Sequence, residues 1–257
     1  MIELKDLTKL PLYVYEREIV NNEESYIPFE LTKQFLLDIS HKENYLLLYI
    51  WPMQKTVILG MIDKNLPYFE EAKSEIRKYD YEPVVRNIGG LAVVADEGIL
   101  NFSLFIPDIF DEKISITNAY LIIVDLINLS LSDFNKKIFV GEIKKSYCPG
   151  NYDLSIDGKK FAGIAQKRVK KGIVVSIYIS VYGNQKQRGE IIYNFYKKGL
   201  AHEKNDMYPS IDIDCMDTLS NLLGFNFTII NLLDRITNVL SEIGFKIKKI
   251  DGCDINE

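Results

Sequence analysis

The chain has 257 residues, of which 47% are hydrophobic and 26% charged, and its formal net charge is −5. This composition is typical of a globular protein with a sizeable core. It excludes the basic surface of a nucleic-acid-binding protein, and no apolar run approaches the about 20 residues of a membrane-spanning helix. Because the chain also opens without a secretory leader, we predict a soluble cytoplasmic protein with no nucleic-acid or membrane partner.

The first half of the chain alternates between helical and strand-like patterns. Apolar residues at helical spacing recur in three segments, and we predict helices over 23–39, 66–79 and 115–131. Strand-like runs lie between them, and we predict strands over 45–51, 56–61, 82–86, 91–95 and 99–106. Gly89-Gly90 is predicted to form the turn of a hairpin between the strands on either side of it.

The second half opens with a predicted β-meander over 152–182. Asp157-Gly158 is a strong signal for a tight hairpin turn, and Gly172 marks the next turn. Helices are predicted over 186–199, 217–222 and 226–243. These elements predict an α+β fold with mixed, mostly antiparallel sheets flanked by helices. We predict a single domain over 1–257, with C-terminal helices from about residue 217.

Cysteine and histidine are scarce, which limits the possible chemistry. The chain contains 3 cysteines and 2 histidines, and their spacing is unlike that of metal ligands, so we predict no metal site. Cys148 is the favoured nucleophile because it lies in a Cys-Pro-Gly loop ahead of a strand. Cys215 lies among acidic residues that would raise its pKa, and Cys253 lies close to the C-terminus.

Lys160 is the candidate partner of Cys148. A hairpin at Asp157-Gly158 returns Lys160 toward Cys148, where an ammonium group would lower the pKa of the thiol and favour the reactive thiolate. At this point the plainer interpretations stay open. Cys148 would then be a small buried apolar residue, and Lys160 a lysine on the surface of a strand.

Two earlier segments contain candidate binding residues. Arg86 precedes Gly89-Gly90, where paired glycines allow the backbone to come close to a ligand. Asn101 and Ser103 alternate onto one face of a predicted strand. On the pattern alone, a glycine-rich hairpin with a solvated arginine and a half-exposed strand are the favoured interpretations.

The order of these segments resembles the biotin/lipoate protein ligase and transferase superfamily. The shared pattern is Arg-x-x-Gly-Gly-x-Ala-Val, then Leu-Asn-x-Ser, then Asn-x-Asp-Leu followed by Gly-Lys-Lys-x-x-Gly-x-Ala-Gln, and it extends from about residue 30 to the C-terminal helices. The resemblance implies the catalytic fold of that superfamily, with Lys160 at the acyl carbonyl. It also implies substrate-binding roles for Arg86, Gly89, Gly90, Asn101, Asp153 and Gly163.

Several residues differ from those of the ATP-dependent lipoate ligases, and these differences favour another subfamily. Ligases usually have a second arginine, a third glycine and a histidine where this chain has Val85, Leu91 and Ala95, and they lack a cysteine at the position of Cys148. The chain looks like the octanoyl-[glycine cleavage H protein]:protein octanoyltransferases. The resemblance implies that an octanoyl or lipoyl group moves from the H protein, through a Cys148 thioester, to a lysine of the lipoyl domains of 2-oxoacid dehydrogenases. No cofactor is implied.

Three other functions remain possible on the sequence. The donor could be octanoyl-acyl carrier protein with the H protein as acceptor, or the chain could be an ATP-dependent lipoate ligase. A non-catalytic carrier-binding protein would make Cys148 dispensable. We expect the acyl slot between Gly89-Gly90 and the strand over 173–181. The basic cluster that we predict as a docking face for acidic carrier domains, or else as a solvated hairpin, consists of Lys167, Arg168, Lys170 and Lys171.

Overall fold

The computed structural model describes residues 2–19, 24–42, 44–86, 89–201, 203 and 205–251. Cys253 therefore lies outside the described residues, as do Asn87 and Ile88 of the glycine-rich segment. Among the described residues, no helix is both long enough and apolar enough to cross a membrane.

The described residues form six α-helices and eleven strands. The helices are α1 (Ile27–Lys42), α2 (Phe69–Arg77), α3 (Ile116–Ser130), α4 (Gln185–Gly199), α5 (Leu219–Leu223) and α6 (Ile229–Ile243). The strands are β1 (Leu12–Glu16), β2 (Leu46–Ile50), β3 (Thr56–Leu59), β4 (Glu82–Val85), β5 (Val93–Ala95), β6 (Ile99–Pro107), β7 (Phe139–Val140), β8 (Leu154–Ile156), β9 (Lys159–Val169), β10 (Gly172–Ser180) and β11 (Ile247–Lys249).

The described strands form two sheets. The larger is eight-stranded, with the order β11-β1-β2-β6-β10-β9-β8-β7, and the smaller is three-stranded, with the order β4-β3-β5. Pairing is parallel among β11, β1 and β2 and antiparallel across the rest of the large sheet. Together with the flanking helices this confirms the predicted α+β class, whereas the single domain over 1–257 stays a prediction.

The large sheet is buried on both faces. Alternate residues of β6, such as Phe102 and Leu104, share one apolar cluster with α3 and α6. Phe105 belongs to a second cluster with α1 and the small sheet. Because both faces are covered, β6 is apolar almost throughout, and the polar side chains of Asn101 and Ser103 are buried on the face toward the second cluster.

The predicted turn at Asp157-Gly158 is confirmed, but the predicted hairpin at Gly89-Gly90 is wrong. Asp157 and Gly158 both have positive φ, 51° and 78°, as a tight turn of the primed type requires. In the small sheet, β4 pairs with β3 in parallel and β5 pairs with the other edge of β3 in antiparallel fashion. Since β3 lies between β4 and β5, the segment that contains Gly89-Gly90 connects the two outer strands of the sheet.

Candidate active site

Of the predicted site residues, all but Lys160 line one cavity of about 290 Å³. It lies between Gly89-Gly90 and residues Ser176 to Tyr178 of β10, where the sequence places the acyl slot. Its other lining residues include most of the predicted ones, namely Arg86, Asn101, Cys148, Asp153 and Gly163. Lys160 lies beneath the Cys148 loop and contacts its backbone.

Cys148 presents its sulfur to a backbone donor and a cation. The Leu91 N–H donates to Sγ at 3.2 Å, and Nη2 of Arg86 lies 3.9 Å from Sγ. Gly90 is in the left-handed region, at φ 107°, and a Cβ there would lie 2.6 Å from Arg86 Nη2 and 3.1 Å from Sγ. Only glycine therefore leaves room for the arginine and the thiol to meet.

Lys160 binds the backbone of the Cys148 loop. Its side chain is buried, and Nζ donates to the Cys148 carbonyl at 2.8 Å, the Tyr147 carbonyl at 3.0 Å and Ser146 Oγ at 3.2 Å. It also pairs with Asp153 Oδ1 at 3.0 Å. Cys148 itself has φ 46°, a conformation that non-glycine residues adopt only when their surroundings hold them. The ammonium group is therefore placed to hold the Cys148 backbone in this conformation.

Asp153 completes this arrangement on the other side of the lysine. Its carboxylate accepts from the Gly150 N–H at 3.1 Å and the Ile143 N–H at 3.3 Å, in addition to the Lys160 ion pair. Burial raises the pKa of Asp153 above its ordinary value, and Lys160 and the two N–H donors act against that shift. Asp153 thus ties the loops on both sides of Cys148 to the lysine.

That Lys160 lowers the pKa of the Cys148 thiol stays a prediction. The cation that lies beside the sulfur is Arg86, which the sequence analysis did not assign to it. The guanidinium also donates to the Leu91 carbonyl at 3.1 Å. At Cys215, by contrast, burial and then Asp212 raise the pKa of the thiol, which agrees with the predicted direction.

Two buried donors at the cavity have no hydrogen-bond partner among the described residues. They are Arg86 Nε and Asn101 Nδ2. The surrounding wall is largely apolar, with Phe29, Trp51 and Tyr178 among its residues. Apolar walls with a few placed polar groups are typical of ligand sites, and unpaired buried donors are costly unless a ligand meets them. The cavity therefore suits an apolar chain that ends in a carbonyl group.

Sequence reasoning missed a buried polar chain behind Cys148. Asp96 pairs with Arg188 at 2.6 Å, and Arg188 donates to Ser180 Oγ at 3.0 Å. Ser180 donates to Gln185 at 2.7 Å, and Gln185 donates to the Tyr147 hydroxyl at 3.2 Å. No local pattern reveals such a chain, because the partners of its ion pair are 92 positions apart in the sequence.

The predicted basic cluster is partly engaged within the fold. Arg168 donates to the carbonyls of Ile114 and Ser115, at 2.7 and 2.8 Å, and Lys170 lies 3.3 Å from the His41 ring. Arg168 thus braces the start of α3, and the docking role of the cluster stays a prediction. Within the described ranges, no three His, Cys, Asp or Glu side chains are grouped so that they could hold a metal ion.

Asp63 makes the stability of the fold pH-dependent. Burial raises the pKa of Asp63 from 3.8 to about 6, and the Gly60 N–H, Tyr196 and Arg86 act against that shift. The folded protein thus holds this proton more tightly than the unfolded chain. The resulting stability is fully present below pH 4 and is lost as pH rises through about 6.

We therefore expect the Asp63→Asn variant to become more stable relative to the wild type as pH rises from 4 to 7. The difference in free energy of unfolding should change by on the order of 3 kcal/mol. Urea denaturation of both proteins across this range measures it. A difference that stays constant with pH would show that the Asp63 carboxyl does not titrate in this window.

Comparison with known proteins places the chain among relatives with named activities. The model of the lipoyl protein ligase A/B catalytic domain family matches residues 24–241. The octanoyl-[GcvH]:protein N-octanoyltransferase of Oceanobacillus iheyensis is 40% identical over 223 residues, which cover 86% of this chain and 79% of that protein. The lipoyl-[GcvH]:protein N-lipoyltransferase of Listeria monocytogenes is 42% identical over 191 residues, 74% of this chain and 68% of that protein.

Solved structures share the fold at lower identity. The bi-partite lipoate protein ligase of Thermoplasma acidophilum superposes with a TM-score of 0.67 at 15% identity, covering 96% of this chain and 89% of the archaeal one. At this identity the likeness shows the fold alone.

Proposed function

The chain belongs to the lipoyl protein ligase A/B catalytic domain family, and from this premise we propose that it transfers an octanoyl or lipoyl group between carrier proteins. The donor is the glycine cleavage H protein, and the acceptor is a lysine of the lipoyl domains of 2-oxoacid dehydrogenases. The observation that carries the proposal is the Cys148 sulfur, which lies at an apolar cavity and contacts the Leu91 N–H and Arg86.

The cavity supports a medium-length acyl chain as the transferred group. Its volume of about 290 Å³ is near the lower end of ligand pockets, and most of its wall is apolar. Each buried methylene contributes about 0.8 kcal/mol, so an octanoyl chain gains most of its binding energy away from the reacting carbonyl. That remote binding energy can hold the carbonyl against the sulfur.

The first half of the reaction forms a thioester. The Cys148 thiolate attacks the carbonyl carbon of octanoyl-lysine on the donor, and the carbonyl oxygen becomes an oxyanion. The Leu91 N–H and the Arg86 guanidinium lie at the sulfur, and we propose that they stabilise the thiolate and then the oxyanion. The carbon–nitrogen bond then breaks, the donor lysine leaves as the amine with the proton that the thiol gave up, and the octanoyl group remains on sulfur.

The second half reverses these bond changes with a new amine. The acceptor lysine attacks the thioester carbonyl, the carbon–sulfur bond breaks, and the amine proton returns to the thiol. One amide is exchanged for another of nearly equal free energy, so we propose that neither ATP nor another cofactor is required. A free thiol nucleophile works in a reducing compartment, which fits a cytoplasmic location.

Lys160 supports this chemistry through the backbone of the nucleophile. Its ammonium donates to the Cys148 and Tyr147 carbonyls, and it is neutralised by Asp153. We propose that it fixes the direction of the Cys148 side chain. If Lys160 also carried the proton to and from the amines, Nζ would have to leave these acceptors during the reaction.

Donor exchange tests the proposed function. The protein is offered octanoylated H protein, octanoyl-acyl carrier protein, or octanoate with ATP, and octanoyl transfer is followed by mass spectrometry. The acceptor is apo lipoyl domain with the first donor and either apo H protein or apo lipoyl domain with the others. We expect transfer from octanoylated H protein to the lipoyl domain without ATP. Transfer only from acyl carrier protein, or only with ATP, would replace the proposal with one of the related activities.

Gly163→Ala is predicted to shorten the acyl chain that the enzyme accepts. A Cβ at Gly163 would lie 2.6 Å from Tyr178 Cε1, so the ring must move, and Tyr178 lines the cavity. Loss of space for two methylenes lowers kcat/KM for octanoyl transfer about 10-fold, with less effect on butanoyl transfer. Gly141→Ala is the matched control, because nothing lies within 4 Å of a Cβ there. An equal loss for both chain lengths would contradict this prediction.

A further inference from the structure

We propose that Tyr196 and Asp63, which do not line the cavity, are positioning residues that set the Leu91 N–H against the Cys148 sulfur. The inference rests on the proposed function, because it assigns these residues to the thioester-forming step. Tyr196 lies on α4, and Asp63 lies in a short 3-10 turn after β3.

A short chain of hydrogen bonds joins these residues to the segment beside the thiol. The Tyr196 hydroxyl accepts from the Ala92 N–H at 3.1 Å and donates to Asp63 Oδ1 at 2.9 Å. Asp63 Oδ2 accepts from the Gly60 N–H at 2.7 Å. Asp63 and Ala92 are fully buried and Tyr196 is 3% exposed, so these bonds are shielded from bulk solvent.

The Leu91–Ala92 peptide is held at both ends. Its carbonyl accepts from Arg86 Nη2 at 3.1 Å, and its N–H donates to Tyr196. A peptide unit is planar, so these two contacts fix its orientation. The Leu91 N–H that meets the sulfur belongs to the peptide immediately before it.

That preceding peptide is held from the side of Gly60. A Cβ on Gly60 would lie 1.9 Å from the Gly90 carbonyl oxygen, so the two backbones are in close contact. The Gly60 N–H is in turn bound by Asp63. Asp63 therefore acts on both peptides, through Gly60 on one side and through Tyr196 on the other, and the result is a fixed Leu91 N–H.

Burying the Asp63 carboxyl group at this position is energetically unfavourable. Burial raises the pKa of Asp63 to about 6, and an apolar side chain would avoid that desolvation. An apolar side chain, however, could not accept hydrogen bonds from the Gly60 N–H and the Tyr196 hydroxyl. This supports a role in orientation for Asp63, in addition to packing.

Tyr196→Phe removes only the hydroxyl group, and Tyr208→Phe is its matched control. The Tyr208 ring packs against that of Tyr196 with centroids 5.4 Å apart, and its hydroxyl donates to the Ile62 carbonyl at 3.0 Å. The experiment measures alkylation of Cys148 by iodoacetamide against pH, read on the Cys148 peptide by mass spectrometry. It also measures kcat and KM for octanoyl transfer.

For Tyr196→Phe we expect the midpoint of the alkylation profile to rise by about 0.5 pH unit or more, because the thiolate loses a well-placed donor. We also expect kcat to fall about 10-fold with KM for the donor unchanged. Tyr208→Phe should leave the profile, kcat and KM unchanged. The inference is overturned if the two variants lose similar stability and neither profile moves.

Asp63→Asn keeps the shape of the side chain and serves as a second variant if Tyr196→Phe does not fold. It should move the alkylation midpoint in the same direction, and an unchanged midpoint would overturn the inference as well. Alkylation needs no carrier protein. If no donor supports transfer but the midpoint moves, the proposed function fails alone. If transfer occurs and the midpoint stays in place, the positioning role fails alone.

Discussion

Replacing Cys148 with alanine is expected to lower the rate of octanoyl transfer on the order of 10⁴-fold or more, because the variant lacks the proposed nucleophile of thioester formation. The free energy of unfolding should change by less than about 1 kcal/mol. Cys148 is only partly buried, and alanine meets the same backbone restriction at φ 46° as cysteine does.

The control is Cys215→Ala, which removes a thiol whose pKa is raised by burial and by Asp212. Single-turnover transfer and urea denaturation of both variants provide the measurement. We expect Cys215→Ala to transfer at the wild-type rate. A Cys148→Ala variant that keeps a tenth of the wild-type rate would mean that the acyl group does not pass through this sulfur.

Lys160→Met is expected to cost about 3–5 kcal/mol of stability, because it leaves the buried Asp153 carboxylate without its cation. Transfer should fall about 100-fold or more, since the Tyr147 and Cys148 carbonyls lose the donor that holds them. The left-handed conformation of Cys148 is then no longer fixed, and the sulfur loses its alignment with the Leu91 N–H.

A double variant separates the two effects. In Lys160→Met/Asp153→Asn the unpaired carboxylate is gone, so part of the stability returns, whereas the two carbonyls still lack a donor. We expect the double variant to unfold at higher urea than Lys160→Met and to transfer no faster. If its activity returns together with its stability, Lys160 acts on the reaction only through the stability of the fold.

The elements that local sequence patterns could predict are those with a clear apolar periodicity or a strong turn signal of their own. The helix predicted over 115–131 is α3 (Ile116–Ser130), and the Asp157-Gly158 turn joins β8 to β9. Strands β1 and β11 were missed. β11 has only three residues, of which two are exposed lysines, and it pairs in parallel with β1 across almost the whole chain. No local periodicity reports such a pairing.

Neighbouring strands in the sequence were also misread as neighbours in space. The glycine pair suggested a hairpin, but β3 lies between β4 and β5 and contributes hydrogen bonds to both. The pattern around Gly89-Gly90 is compatible with either arrangement. Strand order depends on how the strands pair in the folded protein, and a local pattern does not determine this. Here β3 is buried throughout and has a strand paired along each of its edges.

In the site, too, local patterns predicted some features, whereas others depend on the folded chain. The sequence predicted the turn that returns Lys160 toward Cys148, and the two residues are in contact, but the sequence could not orient the lysine. Its direction depends on Ser146 and Asp153, whose oxygens lie around Nζ in the folded protein. The contacts of Arg86 and Tyr196 with the glycine-rich segment were likewise beyond local patterns, because they form across separate elements of the fold.

A Cys148 thioester would be detected in the intact mass of the protein after incubation with octanoylated H protein, without ATP and without an acceptor. We expect a mass increase of one octanoyl group on the wild type, located on the Cys148 peptide, and none on Cys148→Ala. A wild-type protein that transfers octanoyl to a lipoyl domain yet never shows this adduct, or that acquires it only with ATP, would contradict the thioester mechanism.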